Sequence, residues 1–198
     1  MCGIAGLINQ NLKPEYLRKS IKAMQSAIAY RGRDNCGSWI EETSGIAFGH
    51  QRLAIVDIRK VGNQPMISNS GRYVINYNGE IYNHSDLRKQ LEKDKIYISW
   101  KSNCDTETLL ECIDHWGIKA TLNKSLGMFA ISIYDRKEQK IFLIRDRYGE
   151  KPLYWGFSGY GLNRSLIFGS DISSIQSFPF FNNEISKKAI SNFMKYSY

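Results

Sequence analysis

The sequence predicts an α+β fold of stacked layers. Many short apolar segments have strand length, only a few stretches carry helical periodicity, and the two kinds do not alternate strictly as they would in a parallel α/β sheet. Several strand segments are apolar on both sides, so both faces of their sheets are expected to be covered. The 198 residues, 42% hydrophobic and 23% charged, suffice for one domain with a full core.

Taken in order, Gly3 to Asn9 reads as a short buried strand that starts almost at the first residue. A helix is predicted from Pro14 to about Tyr30, because Leu17, Ile21, Met24 and Ile28 recur at helical spacing and proline suits a first turn. Arg31-Gly32-Arg33-Asp34 is a turn. Gly37 to Glu41 and Ile46 to His50 read as strands joined through Thr43-Ser44-Gly45. Arg72 to Tyr77 alternates as a strand and is expected to end at Asn78-Gly79, a dipeptide that favours tight turns. Ser85 or Asp86 is placed to cap a helix carrying Leu87 and Leu91. Asp105 or Thr106 is placed to cap another, running from Thr108 to Trp116 and stopped by Gly117. Met128 to Tyr134 and Lys140 to Arg145 form a hairpin around Asp135-Arg136-Lys137. Leu153 to Gly156 and Leu166 to Gly169 are further strands, and Ser186 to Tyr196 closes the chain as a helix.

Charge and cysteine usage narrow the function classes. The net charge of +8 is spread thinly, and no helix carries a basic stripe interleaved with aromatics, so nucleic acid is not expected as a partner. Cys2, Cys36, Cys104 and Cys112 form no CxxC pair and stand at no zinc-like spacing from His50, His84 or His115, so no metal site is expected. No apolar run approaches the ~18 residues of a membrane span, and Ile4 to Ile8 is too short for a signal h-region. Free thiols in a reducing cytoplasm are the simplest expectation.

Met1-Cys2 permits removal of the initiator methionine, since a small second residue tolerates processing. A cysteine left at the N-terminus carries its own base, an α-amine of ordinary pKa near ~7.7–8.0. A second-position cysteine alone is a weak signal. It is accompanied by Arg31-Gly32-Arg33-Asp34 with Gly37, Gly49 to Asp57 (GHQRLAIVD), Asn63-Gln64-Pro65-Met66, Tyr77 to Asn83 (YNGEIYN), Ser102 to Glu107, Gly127 to Ala130, Arg145 to Gly149 and Lys151-Pro152-Leu153-Tyr154. In this order, and with Met1 to Gly6, these segments resemble class II glutamine amidotransferases, above all the N-terminal glutaminase domain of glutamine-hydrolysing asparagine synthetases.

The resemblance implies an Ntn-hydrolase-type four-layer αββα sandwich with two mainly antiparallel sheets. It implies Cys2 as nucleophile, and the Asn78 amide with the Gly79 backbone N–H as oxyanion donors. Arg52 is implied to hold the glutamine α-carboxylate, with Leu53, Ile55 and Val56 alongside it. Asp105 and Glu80 would hold the α-ammonium, and Arg31 would lie near the nucleophile. The chemical demands agree: a carboxylate suits a planar guanidinium, and an oxyanion needs donors fixed in advance. Read without the family, Arg52 is a surface arginine, Asp105 a helix cap and Asn78-Gly79 a plain turn. His50 and His84 are expected in structural hydrogen bonds.

Two departures stand out. Arg33 replaces the proline usual in the family's arginine-glycine turn, and Tyr30 stands where histidine is common, which predicts a looser turn. The domain expected is a single glutamine amidotransferase type-2 domain over residues 1–198, a fragment whose C-terminal ATP-pyrophosphatase synthetase domain is absent. L-glutamine and that synthetase domain are the expected partners, with a homodimer as a further expectation. No cofactor is expected here, ATP and Mg²⁺ belonging to the synthetase domain. The residues leave the acceptor open between aspartate, as in asparagine synthesis, and another carboxylate such as a sugar acid. A non-catalytic interaction relic is a separate reading, as is a glutaminase of the amidophosphoribosyltransferase or glucosamine-phosphate synthase kind.

Overall fold

The computed structural model describes every residue except Val56, Ile185 and Tyr198. The strands are β1 (Gly3–Ile8), β2 (Asn35–Glu41), β3 (Ile46–Arg52), β4 (Met66–Ile67), β5 (Tyr73–Ile81), β6 (Gly127–Asp135), β7 (Lys140–Arg145), β8 (Tyr154–Ser158) and β9 (Ser165–Gly169). The helices are α1 (Pro14–Ser26), α2 (His84–Lys93), α3 (Asp105–Trp116), α4 (Ile118–Lys124), α5 (Ile172–Gln176) and α6 (Lys187–Tyr196).

One sheet has the order β2-β3-β1-β9-β8 and the other β4-β5-β6-β7. Every pairing among the described residues is antiparallel. Three apolar layers separate four structural ones. Leu17, Ile21 and Met24 of α1 pack on Ala5, Leu7 and Ala47 of the first sheet. Leu87, Leu91, Leu109 and Ile113 of α2 and α3 pack on Ile75, Ile131 and Ile133 of the second. Between the sheets lie Phe48, Val74, Tyr134 and Phe168. This is the expected αββα sandwich, and each helix reaches its layer by the apolar stripe that its 3.6-residue period creates.

A buried polar tie crosses the gap between the sheets. His50 Nδ1 of β3 meets Asn76 Oδ1 of β5 at 2.8 Å, and Asn76 Nδ2 donates to Gly49 O at 3.0 Å and Ala5 O at 3.3 Å. His50 is buried, its Nε2 has no partner among the described residues, and its pKa is pushed down to about 4 by that burial. His84, expected to bond likewise, keeps Nδ1 buried without a partner among the described residues.

Several boundaries differ from the sequence reading. The first helix stops at Ser26, and a 3-10 turn, Ala29–Arg31, follows. The strand expected to end at Tyr77 runs straight through Asn78-Gly79 to Ile81, in register with β6. The dipeptide is therefore no turn. A side chain at position 79 would collide with Met128 O and come within 2.8 Å of Phe129 Cα, so the glycine answers to close strand approach. Helix α3 begins at Asp105 with Cys104 before it, and no side chain caps either α2 or α3. The short elements β4, α4 and α5 carried too few residues to show a period. At the C-terminus, Ser186 Oγ accepts from Ala189 N and caps α6 as expected. The strand β8 lies at a sheet edge and leaves Trp155 and Phe157 exposed, so burial on both faces does not extend to it.

Candidate active site

A cavity of about 210 Å³ opens where the ends of β1, β3 and β5 meet the start of α3. Cys2, Arg52, Leu53, Ile55, Asn78, Gly79, Glu80 and Asp105 all line it. Residues as far apart in sequence as Cys2 and Asp105 thus converge on one place. Val56, also predicted for the site, lies outside the described residues.

Cys2 sits just before β1. Its Sγ accepts from the Leu53 N–H at 3.4 Å and donates toward Leu53 O at 3.6 Å. Burial raises the thiol's pKa; the Leu53 bond, the N-terminal amine and Arg52 pull it back, and Asp105 adds to the rise. The sulfur therefore rests as a thiol that needs a base to become a nucleophile.

The strand β5 supplies two donors. Its period of two puts Asn78 on the same face as Asn76, toward the sheet that carries Cys2. Asn78 is 2% exposed, and its Nδ2 is buried with no partner among the described residues. Such an orphan costs stability unless a ligand uses it. The Gly79 backbone is aimed by the same alternation. The Tyr77 N–H leaves β5 on its free edge to reach Gln64 Oε1 at 2.7 Å, and the Ile81 N–H leaves on that edge to reach Asp105 Oδ2 at 2.9 Å. Between them the Gly79 N–H points the same way, with no side-chain acceptor among the described residues. Asn78 and Gly79 thus offer two unengaged donors beside the cysteine.

Arg52 ends β3, two residues beyond the predicted boundary, and is buried. Its Nη1 donates to Arg59 O and Asn63 Oδ1, both at 2.9 Å, and its Nη2 donates to Asp57 O. The guanidinium is thereby fixed in orientation, and it braces the loop that covers the cavity. Asp57 fixes the same loop by accepting from the Arg59 side chain at 2.6 Å and Asn103 N at 3.2 Å; these contacts with Arg59 hold its carboxyl well below the usual range.

Asp105 lines the cavity from the start of α3. Its Oδ2 accepts from Tyr77 Oη at 2.6 Å and from Ile81 N, and it caps no helix. Burial, and then Asp105, raise the Tyr77 pKa well above the ordinary 10, so the phenol stays a donor. Glu80 lines the cavity from an exposed position. Among the described residues, Arg31 is the predicted site residue that does not line it. It stands behind the nucleophile, donating from Nε to Cys2 O at 3.0 Å, with Nη2 buried and unpartnered among the described residues.

The turn around Arg33 is well tied despite lacking proline. Asp34 Oδ2 accepts from Ala54 N at 2.7 Å, and the Asp34 N–H donates to Arg52 O at 3.0 Å. Tyr30 Oη donates to Asp171 Oδ2 at 2.7 Å. Gly32 lies so close to the Gln51 and Arg52 backbone that no side chain fits there. Sequence reasoning gave no role to Tyr77, Gln64, Met128 or Lys151, all of which line the cavity. Each stood inside a motif already noted, and adjacency to Asn78-Gly79 was the available signal for Tyr77.

The chain matches the glutamine amidotransferase domain family over residues 1–198. It belongs to that family. The amidotransferase domain is 37% identical to asparagine synthetase [glutamine-hydrolyzing] 2 of Bacillus subtilis, over 90% of this chain and 23% of that protein. It is 34% identical to asparagine synthetase [glutamine-hydrolyzing] 3 of the same organism, over 96% of this chain and 30% of the relative. A putative asparagine synthetase [glutamine-hydrolyzing] 2 of Methanocaldococcus jannaschii is also 34% identical, over 95% and 36%. The amidotransferase domain thus spans about a quarter to a third of these relatives. Among solved structures, glutamine phosphoribosylpyrophosphate amidotransferase from B. subtilis superposes with a TM-score of 0.67 at 20% identity, over 91% of this chain and 44% of that one. That likeness shows the shared fold. No helix among the described residues is long and apolar enough to cross a membrane.

Proposed function

We propose that this domain hydrolyses L-glutamine to glutamate and ammonia, with Cys2 as nucleophile. The observation that carries the reading is the buried, unpartnered Asn78 Nδ2, next along β5 to the Gly79 N–H, in the cavity that holds the Cys2 thiol. A developing oxyanion on the substrate amide is the ligand such a pair suits.

Removal of Met1 turns the Cys2 nitrogen into an α-amine. That amine takes the thiol proton as Sγ attacks the amide carbon, and the tetrahedral oxyanion rests on Asn78 and Gly79. The amine then returns the proton to the leaving nitrogen, ammonia departs and a thioester remains. Water, deprotonated by the same amine, hydrolyses the thioester to glutamate. Arg52, Leu53 and Ile55 would take the α-carboxylate end of glutamine, and Asp105 with Glu80 the α-ammonium end. Arg31 positions Cys2 through its carbonyl. The ammonia would feed an ATP-dependent amidation of the asparagine-synthetase type, carried out by a synthetase domain that also binds ATP and Mg²⁺. The names of the relatives support this acceptor.

The test is incubation with a diazo-ketone analogue of norleucine, followed by intact and peptide mass measurement. The expected result is one adduct, on Cys2, in a chain that has lost Met1. An unlabelled chain that lacks Met1 would refute the assignment.

A further inference from the structure

Lys151 is a buried cation for which the mechanism above has no use. It is 7% exposed and lines the same cavity as Cys2. Buried lysines ordinarily pair with a carboxylate. Among the described residues Lys151 pairs with none, and the contact of its Nζ is Met1 Sδ at 3.4 Å. Its backbone is clamped, since the Lys151 N–H donates to Asp146 Oδ2 at 3.0 Å and Lys151 O accepts from Arg145 Nε at 2.8 Å. The ammonium is thus held against the first residue by a fixed loop. Met1, whose side chain it touches, is bonded to the Cys2 nitrogen, and all three residues line one cavity.

We propose that Lys151 is a positioning residue for the base: its ammonium keeps the Cys2 α-amine neutral once Met1 is removed. This rests on the reading of Cys2 as an N-terminal nucleophile. An α-amine of ordinary pKa, ~7.7–8.0, is mostly protonated at neutral pH, and only its minor neutral fraction can accept the thiol proton. A like charge nearby in a partly desolvated cavity lowers an amine's pKa by about one unit. The other charged groups around Cys2 are Arg31, bonded to its carbonyl, and the cavity-lining Arg52 at the end of β3, Asp105 on α3, Glu80 on β5 and Asp57 in the covering loop. Tyr77 and Cys104 also face the cavity, and burial raises the pKa of both, so they add no charge at neutral pH. Asp105 already accepts from Tyr77 and Ile81, and Asp57 is tied to Arg59. Replacing Lys151 therefore removes one cation from a set whose other members stay in place.

The experiment is competitive acetylation of the N-terminal amine across pH, read by peptide mass on wild type, Lys151→Met, Lys151→Gln and Lys151→Arg. It needs no glutaminase turnover. The expected result is a labelling midpoint about one unit higher in Lys151→Met and Lys151→Gln, with Lys151→Arg at the wild-type midpoint. The acidic limb of glutaminase kcat/KM should move with it. Equal midpoints in mature wild type and either neutral variant would overturn the proposal, and so would a shifted midpoint in Lys151→Arg. Label found on a retained Met1 would instead overturn the N-terminal-nucleophile reading on which it rests.

Discussion

The Tyr77 hydroxyl donates to Asp105 Oδ2 across 2.6 Å, while the Ile81 N–H donates to the same oxygen at 2.9 Å. Two bonds on one oxygen orient the carboxylate and direct its remaining acceptor capacity to the cavity. Tyr77→Phe removes one of them without changing the ring. It should cost about 1 kcal/mol of stability and raise the glutamine KM several-fold with a smaller change in kcat. Chemical denaturation and steady-state ammonia release check the two effects separately.

Asn78→Ala removes the side-chain donor and leaves the Gly79 backbone donor in place. A donor used only as the oxyanion forms affects kcat rather than binding. The expected loss is on the order of 10²–10³ in kcat with KM nearly unchanged. A variant retaining most of its kcat would remove Asn78 from the chemistry.

Gly79→Ala tests the strand rather than the ligand. The added methyl meets Met128 O and the Phe129 backbone across the ladder. About 1–3 kcal/mol of destabilisation is expected, with a lower thermal midpoint and lost turnover. The same substitution at a true turn glycine would act through φ and leave β6 undisturbed.

Arg52→Lys should raise the glutamine KM, because a point charge replaces a planar fork. It should also loosen the covering loop, whose carbonyls at Asp57 and Arg59 accept from the guanidinium. Faster limited proteolysis between residues 53 and 63 would report that second effect. Intact resistance together with an unchanged KM would contradict both assignments.

His50 gives the fold a pH dependence of known sign. Its folded pKa, about 4, lies below the ordinary 6.5, so the unfolded chain binds more protons between those values. The stability it contributes is complete above pH 6.5 and is lost as pH falls through about 4, by about 3 kcal/mol in total. Urea titrations from pH 7 to pH 4 should show this fall in wild type and a flatter profile in His50→Asn.

Much of the layered architecture was legible because apolar spacing reports burial directly. Leu17, Ile21 and Met24 mark α1, and alternation marks β6 and β7. The stop of α1 at Ser26 was not legible, since Ile28 continues the stripe and is buried from a non-helical backbone. Asn78-Gly79 misled for a physical reason. The dipeptide tolerates a turn, but it also serves a strand that must let its neighbour come close and still present an amide. Local sequence cannot distinguish these uses, because the deciding atom, Met128 O, lies 49 positions away along the chain. The gathering of Cys2, Arg52, Asn78 and Asp105 was legible only through motif order, and the bracing duty of Arg52 on its own loop carried no sequence signal.

The two halves of the cavity belong to different sheets, Cys2 and Arg52 to one, Asn78 and Gly79 to the other. Phe48, Val74, Tyr134 and Phe168 set the spacing between them, acting as a ruler for a reaction they never touch. A trimmed ring in that layer would let the sheets settle closer or slide, and donors and sulfur would drift apart by fractions of an ångström. Turnover in this domain should therefore register wear in its interior well before the fold itself gives way.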